Sequence, residues 1–248
     1  MARMIVVLAD LQIPLHDPRY LKVMKKFIND VRPDEVGQIG DFVDMPEVGR
    51  WNKGAAGEYA GTFWSSIQTA RKVLDDFDFD WIRVGNHDER MELYIEKYAP
   101  ALSGPDSEFT LESVLRIAER KTRLKRKPFR MAPGWIAAHG HEGGLSQVAG
   151  RTAYGLATRW DASVVCGHTH RAGTVSTTVG LPGSRRRITG MEIGHGMLEK
   201  HATYIKSSSP NWQRAFGVFV VDGRKTYDHL VMMHPDCSFT WDGRTYRP

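Results

Sequence analysis

Along this chain, short continuous apolar runs alternate with stretches in which apolar residues recur every three or four positions, the pattern of strands and helices taken in turn. Met4 to Ala9 (MIVVLA) is continuous and β-branched, which suits a central strand covered on both faces and leaves Asp10 at its carboxyl end. Asp17 before Pro18 marks a helix start, with Leu21, Met24, Phe27, Ile28 and Val31 along one side and Pro33 as the stop. A second strand, Glu35 to Ile39, delivers Gly40 and Asp41. Residues 46–61 are glycine-rich and aperiodic. Helical spacing then returns over Phe63 to Phe77 and leads to a third strand, Trp81 to Val84, ending on Gly85, Asn86, His87 and Asp88. Helices are expected over Glu89 to Tyr98 and Leu111 to Lys121, the stretch around 89–130 reading as a helical cap over a site. A strand from Trp135 to Ala138 leads to His139, a helix spans Leu145 to Trp160, and a strand from Ala162 to Cys166 leads to His168. Beyond Thr174 the pattern turns to β, with runs at Arg187 to Ile193, Phe216 to Val221 and His229 to Met233 and a turn at Asp222-Gly223.

Five of these strands hand over a residue of metal-binding type at the carboxyl end, where open α/β sheets place their sites: Asp10, Asp41, Asn86, His139 and the pair His168/His170. Carboxylate and imidazole suit hard-to-borderline divalent ions, and a carboxylate has two oxygens, so Asp41 is the natural bridge between two of them. Two ions held ~3.5 to 4 Å apart can share a hydroxide nucleophile and neutralise charge that builds up in an in-line displacement at phosphorus.

Asp10-Leu11-Gln12, Gly40-Asp41-Phe42-Val43-Asp44, Gly85-Asn86-His87-Asp88, His139-Gly140-His141 and Gly167-His168-Thr169-His170 together resemble the calcineurin-like metallophosphoesterases, in the correct order over roughly the first 170 residues. The resemblance implies an α/β fold, a four-layered α-β-β-α sandwich of the metallophosphoesterase type in a single domain over 1–248. It also implies Asp10, Asp41 and His170 on a first metal and Asp41, Asn86, His139 and His168 on a second. His87, oriented by Asp88, would contact the phosphate and protonate the leaving alkoxide, a role that suits a near-neutral imidazole. The chain departs from the family in its first motif, where Gln12 stands in place of a histidine. As a ligand, a neutral amide oxygen favours Mn²⁺ over softer ions, with Fe, Zn, Ni and Mg as alternatives. His16 is a second candidate to point inward. Asp10 to Asp17 (DLQIPLHD) and Asn211 to Gly217 (NWQRAFG) further resemble a branch of the family common in bacteriophages, for which the host cytoplasm is the expected location.

Composition adds bounds. At 248 residues, 41% hydrophobic and 25% charged, the chain can bury one sizeable core, and Met4 to Ala9 is far too short to cross a membrane, so a soluble intracellular protein is expected. Two cysteines, Cys166 and Cys237, read as reduced and structural. The net charge of +5 fits a phosphate-bearing substrate or nucleic acid. Part of it comes from Glu119 to Arg130 (ERKTRLKRKPFR), either a solvated helix end or a nucleic-acid-facing patch. Asp44 reads as a brace for a turn or for a ligand histidine. Arg90, His195 and Trp212 are candidate substrate contacts, His141 another, and Trp51, Trp64 and Trp160 are aromatic alternatives weighed against burial in the core. No Gly-x-Ser-x-Gly elbow and no Gly-x-x-x-x-Gly-Lys-Ser/Thr loop occurs, which sets aside nucleophilic-serine and nucleotide-triphosphatase chemistry. A phosphodiesterase acting on nucleotides, cyclic ones included, or on nucleic acid leads. A phosphomonoesterase or protein phosphatase, and a silent metal- or nucleic-acid-binding module, remain as alternatives.

Overall fold

Side chains on both faces of β1 (Arg3–Leu8) are buried, and the period-two alternation of a strand sends them into two different cores. In the computed structural model, which describes residues 2–49, 53–54, 58, 61–104, 106–201 and 210–248, Val6 and Leu8 meet the helices α1 (Pro18–Val31) and α2 (Phe63–Phe77) through Val23, Met24, Phe27, Ile67 and Leu74. Ile5 and Val7 face the other way, into a core shared between two sheets.

The first sheet joins β1 to β2 (Glu35–Ile39), β3 (Trp81–Arg83) and β4 (Arg123–Lys125), all parallel, and on its other side to β10 (Ala215–Asp222), antiparallel to β1, and then β11 (Lys225–Met232), antiparallel to β10, in the order β11-β10-β1-β2-β3-β4. The second sheet has the order β5-β6-β7-β9-β8, from β5 (Phe129–Ala132), β6 (Trp135–Ala137), β7 (Ser163–Cys166), β8 (Ala172–Val179) and β9 (Arg186–Ile193). Its three central strands run parallel, with antiparallel edges. Ile39, Trp81 and Phe219 from the first sheet interlock with Trp135, Val165, Met191 and Ile193 from the second. The outer face of the second sheet is covered by α5 (Arg151–Trp160), where Leu156 and Ala157 pack on Val164 and Ile188. Helices, sheet, sheet, helix: this is the four-layered sandwich expected.

Asp17 opens α1 as expected, its carboxylate accepting from the Arg19 amide at 2.9 Å, and it also takes the buried Arg214 guanidinium, whose Nη1 lies 2.8 Å from Cys237 Sγ. Cys166 and Cys237 are both buried and unbridged.

Three expectations are corrected. The helix over Leu111 to Lys121 ends as α4 at Val114, because Arg116 adopts a left-handed backbone (φ 52°) and only a 3-10 turn, Ile117–Glu119, follows. The helix over Leu145 to Trp160 starts only at Arg151, after Gly150 at φ 82°. The basic run is not a helix end: it supplies edge strands β4 and β5. Three of its cations meet acids, Arg120 with Asp75, Lys121 with Asp78 and Asp80, and Arg126 with Glu92 and Glu112, while Arg123, Lys127 and Arg130 are exposed. Trp51 lies outside the described residues. Among those residues, no helix is long and apolar enough to cross a membrane.

Candidate metal centre

The carboxyl ends of β1, β2, β3, β6 and β7 converge on one edge of the sandwich and bring Asp10, Asp41, Asn86, His139, His168 and His170 with them. To turn inward at a strand end, the chain takes the left-handed backbone at Asp10, Gln12, Asp41, His168 and His170, with φ of 48°, 47°, 50°, 66° and 57°. For residues with a Cβ this costs on the order of 1 kcal/mol each, and such strain persists where surroundings over-determine it. Here the loops after β1 and β2 are tied together: Gln12 N donates to Asp41 O at 2.8 Å, Ile13 N to Phe42 O at 3.0 Å and Asp44 N to Ile13 O at 3.0 Å.

The glycines of the motifs follow from crowding. A Cβ on Gly40 would stand 2.3 Å from His139 Nδ1, on Gly85 2.3 Å from Asp41 Oδ1, and on Gly167 2.1 Å from Asp10 Oδ2. Each glycine before a candidate ligand therefore lets a second ligand sit against the backbone.

The side chains fall into two groups. In one, His170 Nε2 lies 3.4 Å from Asp10 Oδ1 and 3.2 Å from Gln12 Nε2. In the other, His139 Nε2 lies 3.2 Å from Asp41 Oδ1 and 3.1 Å from Asn86 Oδ1, and ligand atoms of Asp41, His139 and His168 all lie within 4.8 Å of one another. The His139 Nδ1–H donates to the Ile39 carbonyl at 3.0 Å, which turns Nε2 toward the cluster. Asp10 accepts the His168 amide through Oδ2 at 2.9 Å. Its other oxygen, Oδ1, and the Gln12 Oε1 are buried without a hydrogen bond among the described residues. Burying such acceptors unpaired costs roughly 1–3 kcal/mol apiece, more for a charged one, and a cation placed among them removes that cost. The donor set fits divalent ions of hard-to-borderline character.

The protonation equilibria point the same way. Burial pushes the His139 imidazole down, but the Asp41 carboxylate outweighs it and raises it to about 10, so without a cation a proton occupies this centre. His168 is lowered to about 4 by burial and by the positive charge on His139. Asp88 is raised to about 7 by burial and by the Asp41 charge.

Beside this cluster, His87 donates its backbone amide to Asp41 Oδ1 at 2.9 Å and sets its ring Nδ1 2.6 Å from Asp44 Oδ1. The orienting acid is Asp44, and the expectation for Asp88 is corrected. Asp88 is turned inward, where Oδ1 takes the Val43 amide at 2.9 Å and Oδ2 the Gly85 amide at 2.7 Å, so it braces two ligand-bearing turns. Arg90 is paired: it donates to the Asp44 carbonyl at 2.6 Å and carboxylate at 3.1 Å, and its Nη2 lies 3.0 Å from His87 Nε2. His195 is fully buried and stacks on the candidate ligand His170 at 5.1 Å, while the half-buried Trp212 ring stands 4.4 Å from His170. The exposed His141 lies 5.3 Å, ring to ring, from His139, and His16 pairs its backbone with Met197.

The gene 54 protein of Mycobacterium phage D29 is 37% identical to this chain over 240 residues, 93% of this chain and 94% of its own, and that of Mycobacterium phage L5 is 37% identical over 254 residues, 99% of each. This chain belongs to the family of mycobacteriophage gene 54 proteins. No family model matches it. Among solved structures, this gene 54 family member is similar to Vacuolar Protein Sorting 29 from Cryptosporidium parvum (TM-score 0.48, 14% identity, 98% of this chain and 94% of that one). It is also similar to Yfce, a phosphoesterase from E. coli (TM-score 0.43, 15% identity, 95% and 96%).

Two acids without a motif of their own, the partly buried Glu142 and the buried Glu192, hold turns of this centre. Glu142 takes the Gly140 amide at 2.7 Å and the buried Arg83 guanidinium at 2.6 Å, fixing the turn after His139 to β3. Glu192, wholly buried in β9, accepts the Thr152 amide at 2.8 Å and the Thr169 hydroxyl at 2.8 Å, which ties the start of α5 to the turn carrying His168 and His170. The only local signal was a single acid inside the apolar run of β9.

Proposed function

We propose that this protein is a metal-dependent phosphoesterase holding two divalent ions, most suitably Mn²⁺, and acting on phosphodiesters of nucleotides or nucleic acid. The observation that carries the reading is the convergence of Asp10, Gln12 and His170 with Asp41, Asn86, His139 and His168, several of their polar atoms buried and unsatisfied, directly beside an imidazole oriented by a carboxylate. Asp10, Gln12, Asp41 and His170 would hold one ion and Asp41, Asn86, His139 and His168 the other. When bound, such ions activate water and offset the negative charge that grows on a phosphoryl group under attack.

The remaining work falls to the chain itself. Asp44 holds the His87 ring by Nδ1 and Nε2 lies 3.7 Å from Asp41 Oδ2, so a proton on Nε2 would reach a leaving oxygen beside Asp41 once Arg90 Nη2, 3.0 Å away, gives up its contact with that nitrogen. Burial pushes His87 down, but Asp41 and Asp44 outweigh it and keep it above its ordinary value, as a general acid near neutral pH requires. Arg90 steadies Asp44 and His87 together. Because Arg90 is engaged there, the site lacks an uncommitted arginine at His87 to grip a terminal phosphate dianion among the described residues, which favours the diester over the monoester.

The test is Mn²⁺-dependent hydrolysis of bis-p-nitrophenyl phosphate beside p-nitrophenyl phosphate, wild type against Asp41→Asn. Preference for the diester, abolished by chelator and by Asp41→Asn, is expected. Preference for the monoester replaces the diesterase by a phosphatase, and no turnover of either in the metal-loaded protein refutes the enzymatic reading.

A further inference from the structure

A cleft of about 430 Å³ opens from Asn86 and His87 along α3 (Arg90–Tyr98). Arg90, Leu93, Tyr94, Lys97 and Tyr98 line it, at the i, i+3, i+4, i+7, i+8 spacing of one helix face. Met91 and Ile95, one turn apart, are the side chains by which α3 packs on the core, so the cleft-facing stripe is a separate face that carries aromatic rings and cations together. Tyr98 is 46% exposed, and its ring stands 4.9 Å from that of Tyr94. Lys53 Nζ sits 3.9 Å from the centre of the Tyr98 ring, and Lys97 Nζ 5.1 Å. Glu58 answers Lys53 and the Tyr94 hydroxyl, which leaves Lys97 to give the far end its positive charge.

An exposed aromatic ring flanked by ammonium groups is what a nucleic-acid strand meets: the base stacks on the ring and a phosphate is held by the cation. The stripe is continuous with the reacting centre at Asn86 and His87, and at 1.5 Å rise per residue it runs about 12 Å from Arg90 to Tyr98, room for a nucleoside and its next phosphate. We infer that this face of α3 is the subsite for the nucleoside attached to the scissile phosphate, with Tyr98 stacking the base and Lys97 taking the neighbouring phosphate. This rests on the phosphoesterase reading for its orientation, since it supplies the specificity that the metal cluster alone lacks. The recognised chemistry, a base with a phosphate one sugar away, is shared by free nucleotides and by polymers.

Two measurements separate the inference from the reading beneath it. The first is the ratio of kcat/KM for thymidine 5′-(p-nitrophenyl phosphate) over methyl p-nitrophenyl phosphate, which share a leaving group and differ in the nucleoside. Tyr98→Ala is expected to lower this ratio roughly tenfold, about 1.4 kcal/mol, with Tyr98→Phe restoring it. The second is the fluorescence anisotropy of a labelled hexathymidylate in chelator, where Tyr98→Ala and Lys97→Ala are each expected to weaken binding severalfold. Loss of binding to the hexamer with an unchanged affinity for thymidine 3′,5′-bisphosphate assigns the subsite to polymers, and loss of both to nucleotides in general. An unchanged ester ratio overturns the subsite and leaves the phosphoesterase standing. No turnover of either ester, with binding still lost in Tyr98→Ala, overturns the phosphoesterase and leaves the subsite. Binding that is absent, or unaffected by Tyr98→Ala, with no turnover overturns both.

Discussion

His87 shows how one residue's role is set by geometry that its neighbours in sequence do not reveal. Its Nδ1 is held by Asp44, 43 positions away, while the adjacent Asp88 points into the turns that follow β2 and β3. The motif Gly85-Asn86-His87-Asp88 is legible in the sequence, but not the direction in which the turn sends each side chain, so adjacency points to Asp88 where the contact is made by Asp44. If His87 delivers a proton, His87→Gln is expected to lower turnover of a diester with a poor leaving group by roughly 10²- to 10⁴-fold and to leave bound metal unchanged. Turnover with p-nitrophenolate leaving is expected to fall less, because that group departs without protonation. Equal losses on both esters would remove the general-acid role. Of the candidate ligands, Asp41, Asn86 and His168 were readable because each follows a glycine at a strand end, and the distances from a notional Cβ to another candidate ligand give the reason.

Among elements, those with continuous apolar or 3.6-residue patterns were legible nearly to the residue, α1, α2, β2 and β7 among them. The strands β4 and β5 were not, because Arg123, Lys125 and Arg130 interrupt any apolar run in these short edge strands, and charge on an edge is how a sheet avoids pairing with another chain. Nor was the contact that locks β3 to the turn after β6. There Glu142 meets Arg83, and although burial pushes the carboxyl up, the Gly140 amide and Arg83 hold it down at about 2. A carboxyl depressed from 4.5 in the unfolded chain stabilises the fold above that pH, and the contribution is lost as pH falls toward 2. Between pH 6 and pH 3 the wild type is therefore expected to lose on the order of 2 kcal/mol more unfolding free energy than Glu142→Gln, as measured by urea denaturation. Parallel losses would show that this pair does not contribute.

At the scale of the whole molecule, the two sheets divide labour around one edge. The first contributes Asp10, Asp41 and Asn86, and the second contributes His139, His168 and His170, so the centre forms only when the sheets pack through Ile5, Val7, Val165, Met191 and Ile193. The order of ligands along the chain was legible, whereas their division between sheets was not, because it depends on β4 passing to β5 across the sandwich. The left-handed turns and unsatisfied polar atoms gathered at that edge are costs that bound cations would offset, and this makes metal stoichiometry the most direct measurement. Manganese bound per chain after equilibrium dialysis is expected to be two equivalents for the wild type, one for His170→Ala, and none held tightly for Asp41→Asn. A wild type that retains no manganese, or a single equivalent indifferent to both substitutions, would contradict the two-ion centre.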